Sequence, residues 1–324
     1  MIEKIGAAQV AAIVVNYRTP ELTIACVESL LRSSGVDLRI VVVDNNSEDE
    51  SVDRLRARFG AAGASRVTIV ARDANDGYAG GNNAGVDVAR QLGARYAFVL
   101  NSDTTVDPEC VQRLVAEAEG PEQPALVSPL ILLGGQPDVV WWGGGRFSLW
   151  TGRPVHVGRG RAASAAWTEP RDLPFATGCA LLVRLDAIGA EPLFDASLFS
   201  YAEDLDLSLR VRQMKKRIRF VPAAIVHHFE GASHRQAGGQ ALRFYLNTRN
   251  LLRVVARHAT WYHWITLAPM LAVDVVGRFC VVAIRDRDPA AFRAVLRGTW
   301  DAIAGGRHAI ERRAVRPAPS SATQ

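Results

Sequence analysis

Apolar and polar positions along the first 130 residues alternate between two rhythms. Residues 10–15, 38–43, 67–71 and 96–100 are apolar at nearly every position. Runs that are apolar on both faces suit parallel strands covered on each side by helices. Longer mixed stretches lie between them and carry helix-start signals. Thr19-Pro20-Glu21 offers a cap residue, proline at the first helical position and an acid in the first turn. That helix is expected to run toward Gly35 as its stop. Ser47 with Glu50 three residues on reads as a capping box, and Asp107-Pro108-Glu109 repeats the first signal. The order predicts an α/β fold with a mostly parallel central sheet flanked by helices.

Beyond residue 130 the pattern changes. Residues 134–160 are rich in glycine and tryptophan, with Trp141-Trp142-Gly143-Gly144-Gly145 at their centre. They read as loops whose indole rings either hold a ligand or belong to the core. Short strands are expected at 180–184 and 218–221, with a helix over about 204–216 between them. Residues 261–284 are apolar but broken by Asp274 and Arg278, short of the uninterrupted run of ~20 residues that a membrane span needs. Trp261, Tyr262 and Trp264 at its start suit an interfacial helix, a buried amphipathic helix or a subunit interface. The last dozen residues, rich in Pro, Ser and Ala, read as disordered.

A chain of 324 residues, 48% hydrophobic and 22% charged, can bury a large core and is not disordered by composition. Its four cysteines are scattered without a CxxC pair, which implies neither a disulfide framework nor a zinc cluster and fits a reducing cytoplasm. Residues 10–15 run into Asn16-Tyr17-Arg18 without a cleavage-type site and read as a strand rather than a signal peptide. The net charge of +5 is unevenly placed: from residue 275 onward nine Arg against four acids give 9 − 4 = +5. Such a segment is compatible with an anionic membrane surface or with a solvated tail, and no nucleic-acid motif accompanies it.

Candidate chemistry sits at the carboxyl ends of the predicted strands, where open α/β sheets bind ligands. Asp103 follows the run ending Leu100-Asn101-Ser102. Asp44 ends the second run, in Val43-Asp44-Asn45-Asn46-Ser47; it can accept from a base or ribose, or simply stabilise a turn. Asn75-Asp76-Gly77-Tyr78-Ala79-Gly80-Gly81-Asn82-Asn83 permits close backbone approach to a ligand. It is no dinucleotide fingerprint, because the first strand-to-helix turn, residues 16–20, has no glycine; no GxxxxGK[ST] loop exists either. That turn also lacks the glycine-rich, basic signature of a nucleotidyltransferase. Glu203-Asp204-Leu205-Asp206 and His227-His228 complete the set.

Five motifs occur in order: Val14-Val15-Asn16-Tyr17-Arg18, Val43-Asp44-Asn45-Asn46-Ser47, the 75–83 loop, Leu100-Asn101-Ser102-Asp103, and Tyr201-Ala202-Glu203-Asp204-Leu205-Asp206-Leu207. Together, over about residues 10–255, they resemble family 2 glycosyltransferases of GT-A fold, in particular the rhamnosyltransferase-like branch. The resemblance implies an inverting enzyme that takes a nucleotide-diphosphate sugar with Mg²⁺ or Mn²⁺ bridging the phosphates. It assigns Asp103 and His228 to the metal, with His227 as the competing histidine. Asp204 becomes the base, against the reading that Glu203, Asp204 and Asp206 merely cap a helix. Asn16, Asp44, Gly77, Asn82, Asn83, Asn101 and Asp103 fall to the donor. Asn101 stands where the family's DxD-type motif has its first acid, which removes one charge. Trp142, Gly178, Glu203 and Arg249 are expected as donor or acceptor contacts, and the segments around 141–153 and 175–179 as those that choose the sugar.

The implied organisation is a nucleotide-sugar half (1–130), an acceptor-binding and catalytic half of the same GT-A domain (131–255), and a basic, amphipathic helical extension with a disordered tail (256–324). The implied acceptor is a glycan or lipid-linked glycan in cell-surface polysaccharide synthesis. The expected location is cytoplasmic, with peripheral contact to the inner membrane face through the extension. A non-catalytic nucleotide-sugar or glycan-binding protein is the competing reading.

Overall fold

The computed structural model describes residues 10–60, 66–163, 167–230, 239–281, 284 and 288–304. The chain divides into two compact units, residues 1–148 with 153–233, and residues 149–152 with 234–324. The second unit thus begins before residue 256, where the extension was expected to start. The disordered-tail expectation lies outside the described residues.

In the first unit the predicted alternation is realised as β1 (Val10–Asn16), α1 (Pro20–Leu31), β2 (Leu38–Asp44), α2 (Ser51–Phe59), β3 (Val67–Ala71), α3 (Gly77–Gln91) and β4 (Tyr96–Asn101). These four strands are parallel neighbours in the order β3-β2-β1-β4. β1 and β4 are buried along nearly their whole length, as runs apolar on both faces require. Each of the four strands therefore delivers its last residue to one edge of the sheet: Asn16, Asp44, Ala71 and Asn101.

The expected caps form differently. Thr19 makes no side-chain cap bond to α1; its hydroxyl instead meets Asn16 Oδ1 at 3.5 Å and Ser102 Oγ at 3.3 Å. The Ser47–Glu50 box does not form, because Ser47 bonds Asp44 and Glu50 itself occupies the cap position of α2.

Beyond β4 come β5 (Thr104–Val106), α4 (Cys110–Ala118), β6 (Leu126–Leu133), β7 (Gln136–Trp142), β8 (Gly145–Arg146), β9 (Val155–His156), β10 (Arg171–Asp172), β11 (Ala180–Arg184), α5 (Leu185–Ile188), α6 (Glu203–Gln213) and β12 (Ile218–His228). The large sheet continues β4-β11-β6-β12-β10. β11 runs antiparallel to both β4 and β6, while β12 is parallel to β6. The stretch expected as loop from residue 134 is in part the antiparallel hairpin β6–β7, turning on Gly134-Gly135 with Gly135 at φ +84°. β12 extends past the expected end at 221; its pairing with β6 shifts between Val221 and Ile225, so a bulge absorbs Pro222.

The second unit contains α7 (Gly239–His258), α8 (Trp264–Cys280) and α9 (Pro289–Ile303). α7 and α9 approach closely at Gly298, where an added Cβ would stand 2.7 Å from the Tyr245 carbonyl. Tyr245 donates to Asp301 Oδ2 at 2.8 Å. On α8 only Leu267 and Leu271 are buried, and Trp264, Ile265, Met270, Val273 and Val276 are exposed. Among the described residues no helix is long and apolar enough to cross a membrane.

Candidate active site

β4 ends at Asn101, whose N–H donates to the Cys179 carbonyl at 2.9 Å and whose carbonyl accepts from the Thr104 hydroxyl at 2.7 Å. The chain then turns into β5, which pairs antiparallel with the end of β12: Thr104 faces His228, Thr105 faces His227 and Val106 faces Val226. The Phe229 N–H closes the corner on the Asp103 carbonyl at 2.8 Å. This register sets Asp103 Oδ1 3.2 Å from His228 Nε2, with both side chains buried. Successive strand residues face opposite ways, so His227 points elsewhere and meets Asp107 Oδ1 at 3.1 Å. Of the two histidines, His228 is the one beside Asp103.

Burial alone would lower the His228 pKa; Cys179 and Asp103 outweigh it and hold the imidazole up at about 10. Burial also raises the Cys179 thiol. That thiol is therefore neutral near pH 7, and Asp103 is the partner that matters there. The Trp141 ring stands edge-on to His228, with centroids 4.5 Å apart.

Cys179 and Gly178, just ahead of β11, connect this corner to α6. The Gly178 N–H donates to Asp204 Oδ2 at 2.9 Å, and the Leu205 N–H to Oδ1 at 2.8 Å. The Tyr78 hydroxyl holds the Gly178 carbonyl at 2.7 Å. The turn into α6 has three non-glycine residues at positive φ, Phe199 (+64°), Tyr201 (+72°) and Ala202 (+65°). Backbone held in that region costs about 1–3 kcal/mol per residue and persists where the surroundings over-determine it. This turn starts α6 with Glu203 and Asp204 side by side and sets Asp204 against Gly178.

Burial, then the neighbouring Asp204 charge, pushes the Glu203 carboxyl up to about 8. Asp204 is also raised by burial, but the two N–H bonds favour its ionised form. Glu203 Oε2 is buried without a hydrogen-bond partner. At neutral pH the pair therefore holds one proton, on Glu203, and one charge, on Asp204. Asp206 is fully buried and paired with Arg210 at 2.9 Å, a packing role within α6.

Asn16 donates to Asp44 Oδ1 (2.7 Å) and Ser47 Oγ (3.2 Å), and accepts from Thr23 (2.7 Å). Asp44 also accepts from the Ser47 hydroxyl (2.6 Å) and N–H (3.0 Å). Both side chains thus hold the β2 turn, which leaves Asp44 Oδ2 with one bond and room to accept another. Gly77, at φ +73°, lies so close to Phe199 that an added Cβ would stand 2.2 Å from its carbonyl oxygen. Asn82 donates to the Tyr78 carbonyl at 2.8 Å, and its Oδ1 is buried without a partner.

Three residues expected as contacts are engaged by other groups. Asn83 engages the Phe194 carbonyl and N–H with both ends of its amide, at 2.8 and 2.9 Å, and so fastens a loop. Trp142 is fully buried, donates to Ser128 at 3.0 Å and packs edge-on against His156 and Phe175. Alternation along β7 turns it into the core and gives its neighbour Trp141 to His228. Arg249 is buried in the second unit, bonded to Asn250 Oδ1 (2.8 Å) and the Tyr245 hydroxyl (3.4 Å). Tyr78, inside the 75–83 motif, was given no role from the sequence; Trp141 opened the 141–153 segment expected to choose the sugar.

Two solved structures share this architecture. GalNAc-T7 with UDP, GalNAc and Mn²⁺ aligns with a TM-score of 0.61 at 16% identity, over 92% of this chain and 54% of that one. The mannosyltransferase PcManGT from Pyrobaculum calidifontis, in complex with GDP-Man and Mn²⁺, gives 0.55 at 14% identity, over 93% and 77%. The sheet with Asp103 at its edge is thus a GT-A glycosyltransferase fold. The family model described as Glycosyl transferase family 2 matches residues 11–188, more than half of the chain, and the chain belongs to that family. The succinoglycan biosynthesis protein ExoO of Rhizobium meliloti (strain 1021) is 36% identical over 110 residues, 34% of this chain. The match spans only 30% of that relative's length.

Proposed function

We propose that this chain is an inverting, divalent-metal-dependent glycosyltransferase. It moves a hexosyl group from a nucleotide-diphosphate sugar to a glycan or lipid-linked glycan in cell-surface polysaccharide synthesis. Rhamnose is the first sugar to test, because the motifs resemble that branch. The observation that carries the reading is the convergence of Asp103–His228 and Asp204 on the Gly178-Cys179 segment.

A carboxylate oxygen and an imidazole nitrogen fit Mn²⁺ or Mg²⁺, which accept few protein ligands and complete their shell with phosphate and water. Among the described residues no cluster of three His, Cys, Asp or Glu competes for that role. Asp103 and His228 would hold the ion, which when bound supplies positive charge to the leaving diphosphate. Asp44 would accept from the nucleoside through Oδ2. Asn16 would hold Asp44 in place, and Gly77, Asn82 and Asn101 would border the donor.

Asp204 takes the proton from the acceptor hydroxyl as that oxygen attacks the anomeric carbon from the face opposite the diphosphate, which inverts the configuration. Its two N–H donors keep it charged, and Glu203 stays protonated beside it. Gly178 leaves open the space in front of the carboxylate. The exposed aromatic and aliphatic face of α8 would rest on the inner membrane surface, near a lipid-linked acceptor.

Asp204→Asn tests the reading. Turnover should fall by roughly 10²–10⁴, while nucleotide-sugar affinity with Mn²⁺ stays within about twofold. Unchanged transfer would refute the base assignment.

A further inference from the structure

Residues 143–163 and 167–174 lie between β7 and β11 and rejoin the large sheet at β10. Their short ladder pairs Gly145 with His156 and Arg146 with Val155. Among the described residues they border an open cavity of about 570 Å³. Four guanidinium groups line it, those of Arg146, Arg159, Arg161 and Arg171, with Asp172 as the carboxylate among the lining residues. Asp172 is already shared with Arg219 at 3.4 Å and Arg217 at 3.8 Å. Glu230 engages Arg159 through both oxygens, at 2.7 and 2.8 Å. The cavity therefore keeps an excess of positive charge, which is unfavourable until an anion enters.

The wall is built for close approach. An added Cβ at Gly143 or Gly158 would stand 2.4 Å from Trp167, and Gly144 sits at φ +107°. Gly143 and Gly158 thus let the Trp167 ring lie directly against the main chain of this wall. Arg171 donates to the Gly143 carbonyl and lies over the Phe220 ring at 4.4 Å, which fixes the plane of its fork. Arg146 and Arg161 are exposed at the mouth. Planar guanidinium groups in such an array suit the paired oxygens of phosphate or carboxylate.

The cavity is separate from the metal pair yet close to it. His156 forms part of its wall and stands edge-on to Trp141 at 5.1 Å, and Trp141 meets His228 at 4.5 Å. One indole ring lies between them.

We propose that this cavity receives an anionic group of the acceptor, a phosphate or a carboxylate, gripped by Arg146, Arg161 and Arg171. The assignment to an acceptor rests on the glycosyl-transfer reading above; the anion site itself does not.

Calorimetric titration of the metal-free full chain with inorganic pyrophosphate and, separately, with glucuronate tests it, using the wild type and Arg146→Gln/Arg161→Gln. At least one anion should bind the wild type, more weakly as salt rises, and the double variant should bind it at least tenfold more weakly. Pyrophosphate alone would indicate a phosphate-bearing acceptor, glucuronate alone an acidic sugar. Whichever of dTDP, UDP and GDP binds with Mn²⁺ should bind both proteins equally. The proposal is overturned if neither anion binds, if both proteins bind alike, or if nucleotide affinity falls in step, which would make the cavity a donor site. Nucleotide binding absent from both proteins would refute the glycosyl-transfer reading and the acceptor assignment, while the anion titration still reports on the cavity.

Discussion

Glu203 carries a prediction that separates stability from catalysis. Its side chain is 6% exposed, and its carboxyl is raised from 4.5 to about 8, first by burial and then by Asp204. The folded chain therefore holds this proton more tightly than the unfolded chain. Stability from the group is fully present below about pH 4.5 and is lost as pH rises through about 8. Each pKa unit is worth about 1.4 kcal/mol. Between pH 5 and 8 the loss approaches about 4 kcal/mol, an upper figure because Asp204 shares the titration. Glu203→Gln keeps the shape and removes the titration. Thermal and urea unfolding of both proteins from pH 5 to 9 should show the variant gaining on the wild type as pH rises. A domain of this size shifts by roughly 2–4 °C per kcal/mol, so the melting points should diverge by about 5 °C or more. Parallel profiles would refute both the raised carboxyl and the placement of the pair's proton on Glu203.

Two further outcomes follow from geometry. Gly77→Ala puts a Cβ 2.2 Å from the Phe199 carbonyl at φ +73°; it should cost about 2–4 kcal/mol, read as a fall in melting temperature. Ile265, Val273 and Val276 on α8 are 70%, 69% and 58% exposed. Replacing all three by Ser should abolish sedimentation with anionic phosphatidylglycerol vesicles while leaving transfer to a water-soluble acceptor unchanged; undiminished sedimentation would refute the membrane role of this face.

Much of the first 130 residues was legible because their signals are local. Four strands apolar on both faces, each followed by a polar tip, predict a parallel sheet and place Asp44 and Asp103 on one edge. The second half was less legible because its signals are not local. The Gly134-Gly135 turn reads as loop until β6 and β7 are seen to flank it, although a glycine pair between apolar runs is also a hairpin signal. Pro222 reads as a strand end until the parallel partner β6 and a bulge carry β12 through to His228. The Ser47–Glu50 spacing resembles a capping box, but the buried Asp44 carboxylate takes the Ser47 hydroxyl and N–H first.

The strand parts of the candidate site turn on single-residue alternation, which an element boundary uncertain by one position cannot resolve. On β7, Trp141 faces His228 while Trp142 fills the core. On β12, His228 meets Asp103 while His227 meets Asp107. Once register is known, each pair sorts itself, because a strand sends neighbours to opposite faces. Glu203 and Asp204 differ in kind: both begin one helix turn, both are enclosed, and alternation cannot separate them. Two backbone N–H groups, from Gly178 and Leu205, do so by bonding Asp204 and leaving Glu203 Oε2 without a partner. Two carboxyls of similar chemistry thus acquire different protonation states from main-chain donors, one of which lies 26 residues away in the chain. Gly178 therefore has two parts in the site: its missing side chain leaves space before Asp204, and its N–H keeps Asp204 charged.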